Sequence, residues 1–200
     1  MLRNLSILAA ATMLSTAALA ANVGESAPAF KGLDAISGKT ISNADVKGKT
    51  VVMEWNNFGC PFVQKYYNSE AMQKLQAAAV KDGVVWVSVN SSAPGKEGHL
   101  KDAAEAKASV KEHHSNASHY LLDHDGAIGH AFGAKATPHM FVIDKDGKLV
   151  YQGAIDSVPS PDAKDIAGAT NYVSEALAAM KAGKPIATAS TRPYGCSVKY

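Results

Sequence analysis

The chain has 200 residues with 20 basic and 18 acidic side chains, a formal net charge of +2 and 46% hydrophobic content. A balance this close to neutral gives no electrostatic footprint for nucleic acid or anionic lipid. The length suits one domain able to bury a core of its own.

Residues 1–20, MLRNLSILAAATMLSTAALA, combine an early Arg3, an apolar stretch and a small-x-small ending at Ala18-Leu19-Ala20. This pattern predicts a secretory signal peptide cleaved after Ala20 and a periplasmic or secreted protein. The apolar run is short for a bilayer crossing, which takes about 20 residues, and no later stretch is long enough. The domain plan is therefore a signal at 1–20, one domain at 21–185 and a tail at 186–200. Beyond Arg3 the only arginine is Arg192.

Residues 23–50 are loop-rich, with turn signals around short extended pieces. TVVMEW (50–55) is an apolar, β-branched run that reads as a central strand. From Pro61 to about Lys81 the apolar residues Phe62, Tyr66, Met72, Leu75 and Val80 recur at helical intervals. Tyr66 and Tyr67 are expected to divide between core and rim. VVWVSVN (84–90) is a second strand, and residues 97–114 predict a polar surface helix. Residues 119–134 read as a strand, an Asp-Gly turn and a short helix. TPHMFVIDKDGKLVYQG (137–153) is a hairpin turning at Lys145-Asp146-Gly147. NYVSEALAAMKAG (171–183) is a last amphipathic helix stopped by Gly183 and Pro185. Strands alternating with helices, then a hairpin and a helix, predict one α/β domain whose mixed sheet is flanked by helices.

The chain has two cysteines, Cys60 and Cys196. Cys60 follows a strand and a short loop and precedes Pro61, a residue suited to the first helical position. A sulfur there faces unpaired N–H groups and the positive end of the helix dipole, which favour thiolate. A space-filling buried cysteine is the alternative. Glu54 sits in the strand run on the face of Val52, opposite Met53 and Trp55. Buried, it could pass protons in thiol–disulfide exchange; on an edge strand it would point to water. Thr137-Pro138 opens the hairpin, where either isomer of the X-Pro bond is open and the proline leaves backbone groups free to grip an extended chain.

For Cys196 three roles remain: redox partner of Cys60, permanent staple, or accidental thiol. Reach is not limiting, since thirteen residue steps from Gly183 span about 40 Å when extended. The segment HHSNASHYLLDHD (113–125) offers His113, His114, His119 and His124, but adjacent histidines on a helix end point to different faces. No metal site and no organic cofactor is expected.

VVMEWNNFGCPF, KATPHMFVID and the hairpin-helix ending resemble the thioredoxin-like fold, with Cys60 in place of the first cysteine of its Cys-x-x-Cys. Glu54 then matches the buried acid of that fold and Pro138 its cis-proline. The entrance GESAPAF…SGKTISNADVKGKTVVMEW resembles the redoxin branch, which includes alkyl hydroperoxide reductases and thiol-specific antioxidant proteins. CPFVQKY with the ending RPYGCSVKY is similar to peroxiredoxin-like redoxins that carry CPYVK and GCSIKW. The resemblance covers about residues 24–200. It implies a thiol oxidoreductase with Cys60 as nucleophile, Cys196 as resolving thiol and Glu54 as proton-transfer group. Pro61, Phe62, Thr137 and Pro138 would line a substrate groove, and a thiol protein would supply or accept electrons. A peroxide is the other substrate it allows. Departures stand beside the match: Val63 replaces the second cysteine of Cys-x-x-Cys. Met53 and Asn57 replace the proline and threonine of peroxiredoxin sites, and only Arg192 is left for their arginine. A binding module with a fixed Cys60–Cys196 bridge is the rival expectation.

Overall fold

The computed structural model describes residues 21–200; the expected signal peptide lies outside them. Among the described residues nine strands form: β1 Lys31–Asp34, β2 Thr40–Ser42, β3 Val51–Trp55, β4 Val85–Asn90, β5 His119–Leu122, β6 Ala136–Thr137, β7 His139–Ile143, β8 Leu149–Gly153 and β9 Cys196–Ser197. Five α-helices accompany them: α1 Pro61–Asn68, α2 Ala71–Lys81, α3 Ala103–Glu112, α4 Ala127–Phe132 and α5 Tyr172–Lys181.

Seven strands make one sheet in the order β2-β1-β5-β4-β3-β7-β8, and β6 pairs with β9 in a separate two-stranded ladder. The middle of the sheet, β3-β4-β5, is parallel, joined by helical crossovers as parallel strands require. The hairpin adds β7 antiparallel to β3, and β8 antiparallel to β7 at the sheet edge. This is the mixed α/β architecture of the thioredoxin-like fold.

Strand alternation divides the core. Val52, Cys60, Val63, Tyr66, Tyr67, Met72, Trp86 and Tyr120 pack in the layer that also holds Ala106 of α3 and Val173 of α5. Val51, Met53, Trp55, Val87 and Phe141 face the opposite layer, closed by Ile128 and Phe132 of α4 and by Phe30 and Ile41. β3 has a strand on either side and all five of its residues are buried, so Glu54 points into the core and not to water.

The expected helix over 61–81 is two helices. Ser69 ends α1, its hydroxyl donating back to the Lys65 carbonyl at 2.7 Å. Glu70 takes the left-handed conformation at φ 60°, which resets the axis before α2. The helix expected over 97–114 forms only from Ala103, because Asp102 caps it by accepting from the backbone N–H groups of Ala104 and Glu105, each at 3.0 Å. Tyr66 and Tyr67 are both core residues, 2% and 3% exposed.

Candidate active site

Cys60 ends the loop Asn56–Gly59 that leaves the C-terminal end of β3. Its backbone is extended, φ −76° and ψ 124°, and Pro61 occupies the first turn of α1, as Cys-Pro predicts. The Cys60 carbonyl accepts from the N–H groups of Val63 and Gln64, both at 2.9 Å, so the residue is the N-cap of α1. The sulfur is buried with the rest of the side chain.

Cys60 and Cys196 form a disulfide with their Cα atoms 6.0 Å apart. The bridge is framed by the ladder of β6 and β9, in which Thr137 pairs with Cys196 and Ala136 with Ser197 in antiparallel register. The Thr137–Pro138 bond is cis. The Thr137 carbonyl oxygen lies 3.1 Å from the Cys60 sulfur. That oxygen can accept a thiol hydrogen, and the N-terminus of α1 faces the same sulfur.

The tail before Cys196 is pinned rather than loose. Thr191 and Ala189 exchange backbone hydrogen bonds with Gln152 of β8, at 3.0 and 3.1 Å. The Thr191 hydroxyl accepts from the Ala154 N–H at 2.9 Å. At the far end the Tyr200 ring stacks on His130, centroids 4.0 Å apart, and its hydroxyl donates to the Ala134 carbonyl at 2.9 Å.

One helical turn along α1 from Cys60, Lys65 belongs to an ionic cluster with no signature in the sequence. Lys65 and Asp156 pair at 3.1 Å with side-chain exposures of 0% and 1%. The phenols of Tyr66 and Tyr194 both donate to the Asp156 carboxylate, on Oδ2 and Oδ1. Burial first, and the adjacent carboxylate second, raise both phenol pKa values and hold the hydrogens in place. The Lys65 ammonium also donates to the Val158 carbonyl at 3.3 Å and sits 5.9 Å from the Tyr194 ring centroid. A lysine on an amphipathic helix ordinarily snorkels to water; only the fold reveals its partner 91 residues away.

Glu54 lies in the same layer as Cys60, wholly buried. Its Oε1 accepts from Asn56 at 2.9 Å and the Tyr67 hydroxyl at 3.0 Å. Oε2 accepts from Gln76 at 3.1 Å, the Trp86 indole at 2.8 Å and the Ser88 hydroxyl at 3.1 Å. Five donors nearly saturate the carboxylate, which makes it a tie between β3, β4, α1 and α2. Among the groove residues, Pro61 is exposed, Phe62 is half-buried and Thr137 and Pro138 are buried. Phe62 meets the Tyr194 ring edge-on at 5.8 Å.

The histidines scatter. His113 stacks on Phe58 at 4.0 Å, His119 meets Asp34 at 3.0 Å and His124 contacts the Leu100 carbonyl at 2.8 Å. No three potential ligand groups converge on a metal position among the described residues. Arg192 is exposed, and among the described residues it makes no side-chain hydrogen bond or ion pair toward Cys60. His139, immediately after Pro138, is held neutral, its pKa lowered from 6.5 to about 3 by burial and secondarily by Lys135.

A buried cysteine at a helix N-terminus beside a cis-proline is the arrangement of the thioredoxin-like fold class. Residues 22–169 match the Redoxin family, and the chain belongs to it. Similar solved structures include a hypothetical protein from Sinorhizobium meliloti 1021, 26% identical, covering 91% of this chain and 96% of that one at a TM-score of 0.76. An uncharacterized conserved protein from Geobacillus kaustophilus is 25% identical over 90% of this chain and 92% of that one, at 0.72. The thioredoxin domain of a thiol-disulfide oxidoreductase from Bacteroides vulgatus, 21% identical, shares the fold over 74% of this chain and 96% of that one at 0.52. No curated protein matches the chain.

Proposed function

We propose that the protein is an exported thiol–disulfide oxidoreductase that cycles between a Cys60–Cys196 disulfide and a dithiol. The observation that carries this reading is the pairing itself: Cys196 reaches the N-cap sulfur of α1 on a short two-residue ladder at the chain end. Cys196 is half-buried while Cys60 is fully buried, which supports first attack by a donor thiolate on the Cys196 sulfur. Cys60 then leaves with the electron pair as a thiolate stabilised by the α1 N-terminus; a low-pKa sulfur is the better leaving group. A second donor thiol completes reduction, releasing donor disulfide.

In the reverse half-cycle the Cys60 thiolate attacks a substrate disulfide and expels one substrate thiolate. Cys196 attacks Cys60 in the mixed disulfide, restoring the bridge and freeing the second. Thr137 and Pro138 with Pro61 and Phe62 border the groove, and Glu54 is the proposed proton-transfer group behind the sulfur. Thiol proteins are the natural donors and acceptors.

Peroxide is the second substrate supported. The Cys60 thiolate would attack one peroxide oxygen, breaking the O–O bond and releasing the other oxygen as water, to become sulfenic acid; Cys196 would then form the S–S bond and release a second water. Asn57, Met53 and the exposed Arg192 favour disulfide exchange over this route. The test is single-turnover reaction of the reduced protein with a disulfide-bonded protein and, separately, with one equivalent of hydrogen peroxide. Cys60→Ser should abolish both reactions. Cys196→Ser should accumulate a mixed disulfide with the protein substrate. A protein in which Cys60→Ser changes neither rate is not this oxidoreductase.

A further inference from the structure

The chain's own tail lies across the groove as a polypeptide substrate would. Cys196 is bonded to Cys60 and paired opposite Thr137, and the register continues as the Val198 N–H donates to the Lys135 carbonyl at 3.2 Å. A sheet edge read by an extended chain supplies backbone affinity, while side-chain pockets supply selectivity. Two positions before the cysteine, Tyr194 enters such a pocket. Phe62 forms one wall, Lys65 lies over the ring, and Asp156 takes the phenol hydrogen. One position before, Gly195 has φ 130°, and a Cβ there would collide with the Thr137 carbonyl.

Asp156 also has partners outside the tail. Asp156 is held by Lys65 at 3.1 Å, by Tyr66 and by the Val158 N–H at 2.9 Å. When Tyr194 leaves, the Oδ1 facing the groove keeps only the Val158 N–H, so a buried carboxylate oxygen is left with spare capacity for a donor. Phenol, not a carboxylate or an apolar side chain, fits that chemistry: a ring for Phe62 and Lys65 and a hydrogen for Asp156.

We propose that Phe62, Lys65, Tyr66 and Asp156 form a phenol-accepting subsite, and that the protein's substrate is an extended polypeptide cysteine preceded by Tyr-Gly or a close equivalent. The tail occupies the same place in the oxidised state, so substrate and tail alternate on one edge. This rests on the reading of Cys60 as the reactive sulfur.

The test uses the full chain carrying Tyr194→Ala and Cys196→Ser, which frees Cys60 and empties the pocket. Its probes are the peptides Tyr-Gly-Cys-Ser-Val, Phe-Gly-Cys-Ser-Val and Ala-Gly-Cys-Ser-Val, each activated as the mixed disulfide with thionitrobenzoate. The Cys60 thiolate attacks the peptide sulfur, the Cys60–peptide disulfide forms, and thionitrobenzoate leaves with the electron pair and is read by its colour. The tyrosine peptide should react about tenfold faster than the phenylalanine peptide, as expected for one hydrogen bond to a charged acceptor. The alanine peptide should be slowest. Asp156→Asn in the same background should erase the preference for tyrosine over phenylalanine. If that variant does not fold, the tyrosine and phenylalanine peptides decide between themselves. Equal rates for all three peptides, or reaction only with the activated disulfide of free cysteine, would overturn the subsite and leave Cys60 as nucleophile. Failure of free cysteine's activated disulfide as well would overturn both.

Discussion

Thr137 and Cys196 face each other in the ladder of β6 and β9, so the last residue before cis Pro138 is the backbone partner of the cysteine bonded to Cys60. Opening the disulfide therefore removes one covalent bond but leaves a pairing that Cys196 must break before a substrate chain can take its place.

Gly195 is where this coupling is most exposed. A side chain there would meet the Thr137 carbonyl, and φ 130° is strained for any L residue. Gly195→Ala should disfavour the docked tail, which the disulfide enforces in the oxidised protein and which the reduced tail can leave. The equilibrium against a glutathione redox buffer should shift at least about tenfold toward the dithiol, or about 30 mV. Thiol alkylation and intact mass across a series of buffers read that shift.

The Lys65–Asp156 pair predicts a large stability effect. Lys65→Met leaves a buried carboxylate with phenol donors but no countercharge, at a cost of about 3–5 kcal/mol in urea unfolding. Adding Asp156→Asn removes the uncompensated charge and should recover part of the loss. A single-mutant loss below about 1 kcal/mol would mean that the cluster is not buried as described.

Glu54 separates a structural role from a chemical one. Glu54→Ala strands five donors and should cost about 3 kcal/mol or more. Glu54→Gln keeps the shape but turns one acceptor oxygen into an NH2 donor, so at least two of the five donors lose their acceptor and a smaller stability loss is expected. If Glu54 moves protons, this variant should slow disulfide exchange about tenfold or more and change its pH profile. A rate and profile like the parent's, in folded protein, would confine Glu54 to architecture.

His139 predicts a pH dependence of stability. Its folded pKa of about 3 lies below the ordinary 6.5, so above pH 6.5 it is neutral in both states and contributes no slope. Between 6.5 and about 3 the unfolded chain binds a proton that the folded chain refuses. Stability then falls with pH by up to about 1.4 kcal/mol per unit from this group. His139→Gln should flatten the urea midpoint between pH 6 and pH 4.5, a window above the ordinary carboxylate range.

The strand, loop, Cys-Pro and helix around Cys60 were legible because each signal is local: an apolar run, a breaker and a proline suited to a first turn. The face of Glu54 followed from period-two alternation. The split at Glu70 was not legible, since Ser69 and Glu70 are ordinary helix residues and the left-handed step is imposed by packing. The order of the tail was hidden for a related reason. Its contacts are backbone pairings and single side chains, Tyr194 to Asp156 and Tyr200 to His130, with no periodicity to betray them. Lys65 reads as a surface residue until the fold brings Asp156 beneath it.

On the proposed function, Cys60–Cys196 is a working disulfide. Its most direct test is the rate at which a reduced thioredoxin-type dithiol protein opens it in native buffer, followed by alkylation and mass. Reduction should be rapid, with both cysteines alkylated and the tertiary fold retained, and an added oxidised dithiol should reclose the bridge. A bridge that stays closed until denaturant unfolds the chain would contradict that function and make Cys60 a structural residue.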